Sequence, residues 1–230
     1  MLFRSWTTSN AQVSSNVKIK NYLQENYKIL GLTAEDIVSW EITHQSTLKD
    51  KGVAHVYVRQ EYQGIPISNA IANFAIKDEN VITTGNRWVS NLNAAVNSSS
   101  PGLTPDQAIN LSTKLLNLTP PKNLKKLNSK SDKHIIYNNA GISQEKIPVK
   151  LMYCVVSKNN VRLVWDLSIY TIDSKHWWSI QIDAQTGQLL YKNDWVVHCD
   201  FEHSPFTNYS DHIHEPSLLK KHITLQAKKN

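Results

Sequence analysis

Cysteine is almost absent. The 230 residues hold two, Cys154 and Cys199. That is too few for a disulfide scaffold, and the two lie too far apart in sequence for a C-x-x-C site. Long hydrophobic runs are missing too. No stretch reaches the roughly 18 apolar residues of a membrane span, so no membrane association is expected. The start, MLFRSWTTSN, has no apolar h-region, and no signal peptide is visible in it. No nucleophile elbow G-x-S-x-G is present. Nor is there an RNA-binding aromatic signature or a zinc knuckle. Asp166 and Asp183 are not placed to bracket a substrate between two acids.

Charge of one sign is in moderate excess. The formal net charge is +6, with Lys crowded into residues 120–150 and 218–230. Solvated lysines account for this more simply than a phosphate-binding surface, so no nucleic-acid partner is expected. Hydrophobic residues make up 40% and charged ones 19%, a globular balance. Seven Trp and nine Tyr favour aromatic-rich sheets or a broad partner surface over a helical bundle. Asn97, Asn110, Asn117 and Asn208 each begin a glycosylation sequon. A chain this rich in Asn, Ser and Thr shows about that many by chance, so they carry little weight for secretion.

The most structured stretch is VAHVYVRQEYQGIPISNAIANF, residues 53–74. Val56, Val58 and Gln60 alternate with Tyr57, Arg59 and Glu61, which predicts a strand with two unlike faces. Gly64 accepts φ > 0 and Pro66 fixes its own φ, so a Gly64-Ile65-Pro66 corner is expected to reverse the chain. A helix is expected from Ser14 or Ser15 to about Leu30, with Ile19, Leu23, Tyr27 and Leu30 on one stripe. Strands are expected at 37–48 and 81–89. Residues 91–102, NLNAAVNSSSPG, have a linker composition. Thr104 then caps a helix with Pro105 at N1 and Gln107 at N3, ended by Pro120. Residues 119–133 read as a mobile Lys- and Asn-rich loop. Strands follow at 133–137, 147–156, 161–172, 177–183 and 188–195.

The fold class is therefore α+β: two successive subdomains, each a helix with an antiparallel sheet, at residues 14–90 and 103–197. An irregular tail follows at 198–230. Trp177 and Trp178 are adjacent in a strand, so one should face the core and the other solvent, where it could anchor a partner. Trp88, Trp165 and Trp195 are expected to fill cores. His55 and Arg59 share one strand face. That face is either a polar surface with Arg59 paired to an acid, or a docking surface.

The stretch HVYVRQEYQGIPISNA resembles the fungalysin/thermolysin-type propeptide, the prosegment of secreted zinc metalloproteases. LVWDLSIY, HWWSIQIDAQTGQLL and YKNDWVV resemble the closing, PepSY-like part of that prosegment. Together the resemblance covers about residues 15–197. It implies PepSY/cystatin-like subdomains, secretion, and a protease catalytic domain as partner. The motif positions, as possible docking residues, are His55, Tyr57, Arg59, Gln60, Gly64, Pro66, Trp165, Trp177, Trp178, Asp183, Thr186, Gly187, Asp194 and Trp195. The implied role is chaperone and inhibitor of the protease. The alternatives are a fragment of a full-length metalloproteinase gene and a free-standing protein-binding module.

The family's zinc site needs H-E-x-x-H on a helix, so that two imidazoles share a face beside the Glu. The nearest match is His214-Glu215-Pro216-Ser217-Leu218, where Leu218 replaces the second ligand and Pro216 breaks the helix. No cofactor is expected in this chain; zinc belongs to the family's catalytic domain. His198, Cys199, His203, His212, His214 and His222 are metal-ligating types, but their spacing fits no closed site, and a polar tail accounts for them. The purified chain is therefore expected to cleave no casein with or without added Zn²⁺; turnover that appears on adding the metal would overturn this.

Overall fold

The computed structural model describes residues 7–48 and 52–197. The expected turn at 49–52 lies largely outside these residues. So does the tail with His198, Cys199, His203, His212 and His214.

Helix α1 spans Thr7–Asn26, and a short 3₁₀ turn follows at Glu35–Ile37. A meander comes next: β1 (Trp40–Leu48), β2 (Val53–Tyr62), β3 (Ile65–Lys77) and β4 (Asn80–Asn86). Helices α2 (Leu92–Ala95) and α3 (Pro105–Leu115) precede β5 (Lys126–Ser131), β6 (His134–Tyr137), β7 (Ile147–Ser157), β8 (Asn160–Tyr170), β9 (Trp177–Asp183) and β10 (Leu189–Asp194). The chain is thus α+β, mostly sheet with few helices. Its described strands join in one sheet, ordered β1-β2-β3-β7-β8-β9-β10, with β4 on β3 and β5 on β6. Neighbours pair antiparallel except β3 and β7, which meet in parallel at the single register pair Ile67 and Tyr153.

The hairpin of residues 53–74 forms, but its corner differs from the expected one. Gln63 and Gly64 both take positive φ, 50° and 68°. Two left-handed residues make the turn whose twist matches a hairpin. Pro66 therefore does not reverse the chain; it lies in β3 opposite Glu61. The break comes later. Arg59 pairs with Ile71 and Glu61 with Pro66, so four residues, Ile67 to Ala70, face the single residue Gln60. This wide bulge has Asn69 at φ 62° and swings Ile67 across to β7.

The core covers one face of the sheet. Val56, Val58 and Phe74 are fully buried beneath Ile19 and Leu23 of α1, and Tyr22 meets Phe74 edge-on, ring centres 6.0 Å apart. Under α3 lie Leu163, Trp165 and Ile182, against Ala108 and Ile109. The expected capping box is present: Gln107 N–H donates to Thr104 Oγ1 at 3.2 Å and Thr104 N–H to Gln107 Oε1 at 2.8 Å. Gly187 sits so close below α3 that a Cβ would lie 2.7 Å from Leu111 Cδ1.

Two further expectations are corrected. The linker-like segment 91–102 is pinned down: Leu92 is buried, and Asn97 exchanges hydrogen bonds with Val161 O at 3.0 Å and Leu163 N–H at 2.8 Å. Six of the fifteen residues of the supposed loop 119–133 form strand β5, whose polar side chains hide an edge pairing with β6. Lys133 is not simply solvated, because its ammonium donates to Gln63 O and Gly64 O, both at 3.3 Å.

One buried polar node ties these parts together. Asp36 is fully buried, and its carboxylate accepts from the amides of Thr33, Asn91 and Leu92 at 2.8–2.9 Å. Gln60, also fully buried, donates to Asp36 O and Val89 O and accepts from Val89 N–H. Removing the carboxylate would strand three amides, at a cost of about 1–3 kcal/mol each before relaxation. Asp36→Ala is therefore expected to lose roughly 3–5 kcal/mol in urea unfolding. Glu79→Ala, which breaks the exposed Lys18–Glu79 pair at 2.8 Å, should lose under about 1 kcal/mol. Equal losses would show that the node is not special.

Candidate functional site

The helices cover one face of the sheet and leave the other open. Along β8 the odd residues Leu163, Trp165, Leu167 and Ile169 are buried, while Arg162, Asp166, Ser168 and Tyr170 point the other way. This open face forms a cleft of about 810 Å³ that crosses the strands from Arg59 on β2 to Trp195 beyond β10.

Its floor is polar and locally well bonded. Gln181 donates from Nε2 to Asp166 Oδ1 at 3.1 Å and to Ser68 Oγ at 3.2 Å, joining β9, β8 and the β3 bulge. Lys150 stands opposite Asp166 in the ladder. Burial pushes the Asp166 carboxyl up, against the pull of the Gln181 hydrogen bond and of the Lys150 and Arg59 charges. Burial likewise raises the neighbouring Cys154 thiol, and Asp166 adds to the effect.

At the β10 end the cleft meets an aromatic cluster. Trp177 stacks on Tyr170 with ring centres 5.1 Å apart and meets Trp195 edge-on at 5.4 Å. Its indole N–H donates to Ser168 Oγ at 2.9 Å. Trp195 is 51% exposed, so it rims the cleft instead of filling the core; it lies past β10, where none of the described helices covers it. Behind this cluster Asp194 ties the chain's exit to β9. It accepts from His176 Nδ1 at 2.6 Å and from the amides of Trp177 and Val196. Burial pushes its carboxyl up, but those hydrogen bonds and the His176 charge outweigh it and hold it at about 2. His176 in turn stacks on Trp178, and the Lys192 ammonium lies over the same indole, 4.8 Å from the ring centre.

The sequence-derived site residues separate into several places. Arg59 lines the cleft and pairs with Glu41 at 3.4 Å. His55 and Tyr57 share its strand face, Tyr57 beside His44 at 5.9 Å. Gln60 turns inward to the polar node, Gly64 makes the hairpin turn and Pro66 lies in strand. Trp165 is buried and donates to Leu103 O at 2.8 Å. Of the Trp pair, Trp177 is exposed and Trp178 packs partly on the core. Asp183 is fully buried, bound by Arg162 Nε and by the amides of Gln185 and Thr186, all at 2.8 Å. With Thr186 and Gly187 it builds the β9–β10 turn, a structural task. Sequence reasoning missed Ser68, Arg87, Lys150, Asp166 and Gln181 as a group. The available signal was polar residues recurring at alternate positions inside strands read as apolar. Among the described residues no group of three or more His, Cys, Asp or Glu is placed to hold a metal ion.

Residues 38–87 match the family described as the Fungalysin/Thermolysin Propeptide Motif. The chain carries that propeptide motif. Three fungal relatives agree with it. Extracellular metalloproteinase 10 of Coccidioides posadasii is 24% identical over 204 residues, covering 81% of this chain and 32% of the relative. Extracellular metalloproteinase 1 of Trichophyton tonsurans is 23% identical over 86% and 32% of the two chains. Extracellular metalloproteinase mep of Aspergillus niger is 27% identical over 73% and 27%. The chain thus matches a fungalysin-type propeptide region and spans about a third of the length of these relatives. Among solved structures, the C-terminal domain of Bacillus megaterium YpeB aligns at 11% identity and a TM-score of 0.35, over 84% of this chain and 67% of that one.

The propeptide motif supplies β1 to β4 and so one wall of the cleft: Arg59, the β3 bulge and Arg87. The opposite wall comes from β7 to β10.

Asp194 gives a pH test. Its carboxyl sits at about 2 when folded and near 3.9 in an unfolded chain. The depressed value contributes stability that is complete above about pH 4 and is lost as pH falls towards 2. Asp194→Asn should therefore flatten the fall of the urea midpoint between pH 4 and pH 2. An unchanged acid limb would remove Asp194 from that role.

Proposed function

We propose that this chain works as the prosegment of a fungalysin-type metallopeptidase, assisting the folding of the catalytic domain and covering it until release. The observation that carries this reading is the propeptide motif at residues 38–87, which forms one wall of the open cleft. The relatives' names place them outside the cell, and secretion of this chain follows the same reading.

Both tasks need a large complementary surface and no reaction centre. The open sheet face offers this. It is uncovered by helices, it spans both subdomains proposed at 14–90 and 103–197, and its aromatic rim supplies the kind of anchor that dominates protein interfaces. His55, Tyr57 and Arg59 extend the same face along β2. A prosegment supplied as a separate molecule lacks the effective concentration that a covalent link provides, so inhibition in trans should be weaker than in a zymogen.

The purified chain is expected to inhibit a fungalysin-type metallopeptidase catalytic domain at micromolar concentration and to raise its refolding yield. Trp195→Ala should weaken inhibition about tenfold or more, consistent with loss of an interface anchor. No inhibition and no binding to any such enzyme at that concentration would reject the reading.

A further inference from the structure

The cleft is polarised along its length. Its cations, Arg59, Arg87 and Lys150, sit on the β2, β4 and β7 side. Arg59 and Arg87 flank one residue, Ile71: Arg59 pairs with it in the ladder, and Arg87 N–H donates to its carbonyl at 3.1 Å. Arg87 and Lys150 are exposed, and neither forms an ion pair among the described residues. The far end, on β10, carries Leu190, Tyr191 and Trp195, and Tyr191 is 45% exposed. Asp166 is the one carboxylate among the lining residues and stands between the two ends.

Resting on the docking reading above, we infer that this groove takes one extended segment of the partner protein, with carboxylates at one end and an aromatic or large aliphatic side chain at the other. Charge complementarity selects the acidic end, because Arg87 and Lys150 are exposed cations outside any close ion pair among the described residues and gain from carboxylates in a concave site. The exposed rings select the apolar end. Length follows from strand spacing: five steps from β2 to β10, at about 4.8 Å each, make roughly 24 Å, room for about seven extended residues. A nucleic acid fits less well. Its phosphates carry charge along the whole strand, whereas the groove's cations stop at β7 and a carboxylate follows them. Asp166 then acts as a selector. It repels acidic residues from the centre of the segment and so fixes its direction.

The test uses a random seven-residue peptide library displayed on phage, selected against the full chain. Selected peptides should carry Asp or Glu at one end and an aromatic or Leu at the other. One such peptide, labelled for fluorescence anisotropy, should bind at least tenfold more weakly to the R87E/K150E chain and more tightly to Asp166→Asn. Raising salt from 50 to 500 mM should weaken its binding to the unaltered chain, a readout that needs no variant to fold. Arg87 is exposed and outside any strand, so Arg87→Glu should leave the urea midpoint unchanged, whereas Lys150→Glu sets a carboxylate opposite Asp166 and should lower it modestly. No enrichment, enrichment of basic peptides, indifference to charge reversal, or equal competition by a single-stranded oligonucleotide would overturn the inference. Trans inhibition separates the two claims. If R87E/K150E still inhibits the metallopeptidase fully, the groove assignment fails and the prosegment reading stands. If the unaltered chain binds its peptides but inhibits nothing, the prosegment reading fails alone.

Discussion

The fold depends on how β3 joins the two halves of the sheet. A strand has two edges, and β3 gives one to β2. Its other edge must hold β4 at Ala72–Lys77 and β7 at Ile67. A regular strand cannot satisfy these directions at once, and the bulge at Ile67 to Ala70 resolves the conflict. The opposing residue, Gln60, turns its amide into the buried node with Val89 and Asp36. A buried amide and carboxylate would be costly if unpaired, and here the hydrogen bonds reach the 3₁₀ turn, the exit of β4 and the start of α2. The bend in β3 and the anchoring of the segment after β4 are thus consequences of one arrangement.

The same arrangement makes the cleft. Only one backbone pairing joins β3 to β7, so side chains hold the junction. Tyr62 meets Tyr153 edge-on at 5.9 Å, Lys133 clasps the hairpin turn, and Gln181 reaches Ser68 from β9. Burial pushes the Tyr153 hydroxyl up to about 12, so it stays neutral and its donor to Ser98 O at 3.2 Å is kept at any ordinary pH. The cleft floor straddles this junction, with Ser68 from one side and Asp166 and Gln181 from the other.

Much of this was legible in sequence, and the failures share a cause. Alternation in residues 56–61 revealed which side chains of β2 are buried, because a strand's period is enforced by its own backbone. The capping box at Thr104 was legible for the same reason: its atoms lie within four residues. Pro66, the 91–102 segment, β5 and Trp195 were misread because distant partners decide them. Pro66 is tolerated in strand opposite Glu61, Leu92 is held in the core, β5 needs β6, and none of the described helices covers Trp195. The cleft residues were invisible as a set, since Arg59, Lys150, Asp166 and Gln181 lie on four strands spread over some 120 residues of sequence.

A surface divided between two walls behaves differently from one carried on a single motif. The propeptide motif ends at residue 87 and holds Arg59 and Arg87, while Lys150, Asp166 and the aromatic rim come after it. Neither wall alone presents both a cationic and an apolar end, so neither alone can fix the direction of a bound segment. Direction requires the two halves of the sheet to stay in register, and the Ile67–Tyr153 pairing keeps that register together with the side chains that hold the β3–β7 junction. A loosened junction would keep every lining side chain and still lose the alignment between the cations and the rings. The bulge in β3 therefore both lines the groove, through Ser68, Asn69 and Ala70, and keeps its two ends aligned.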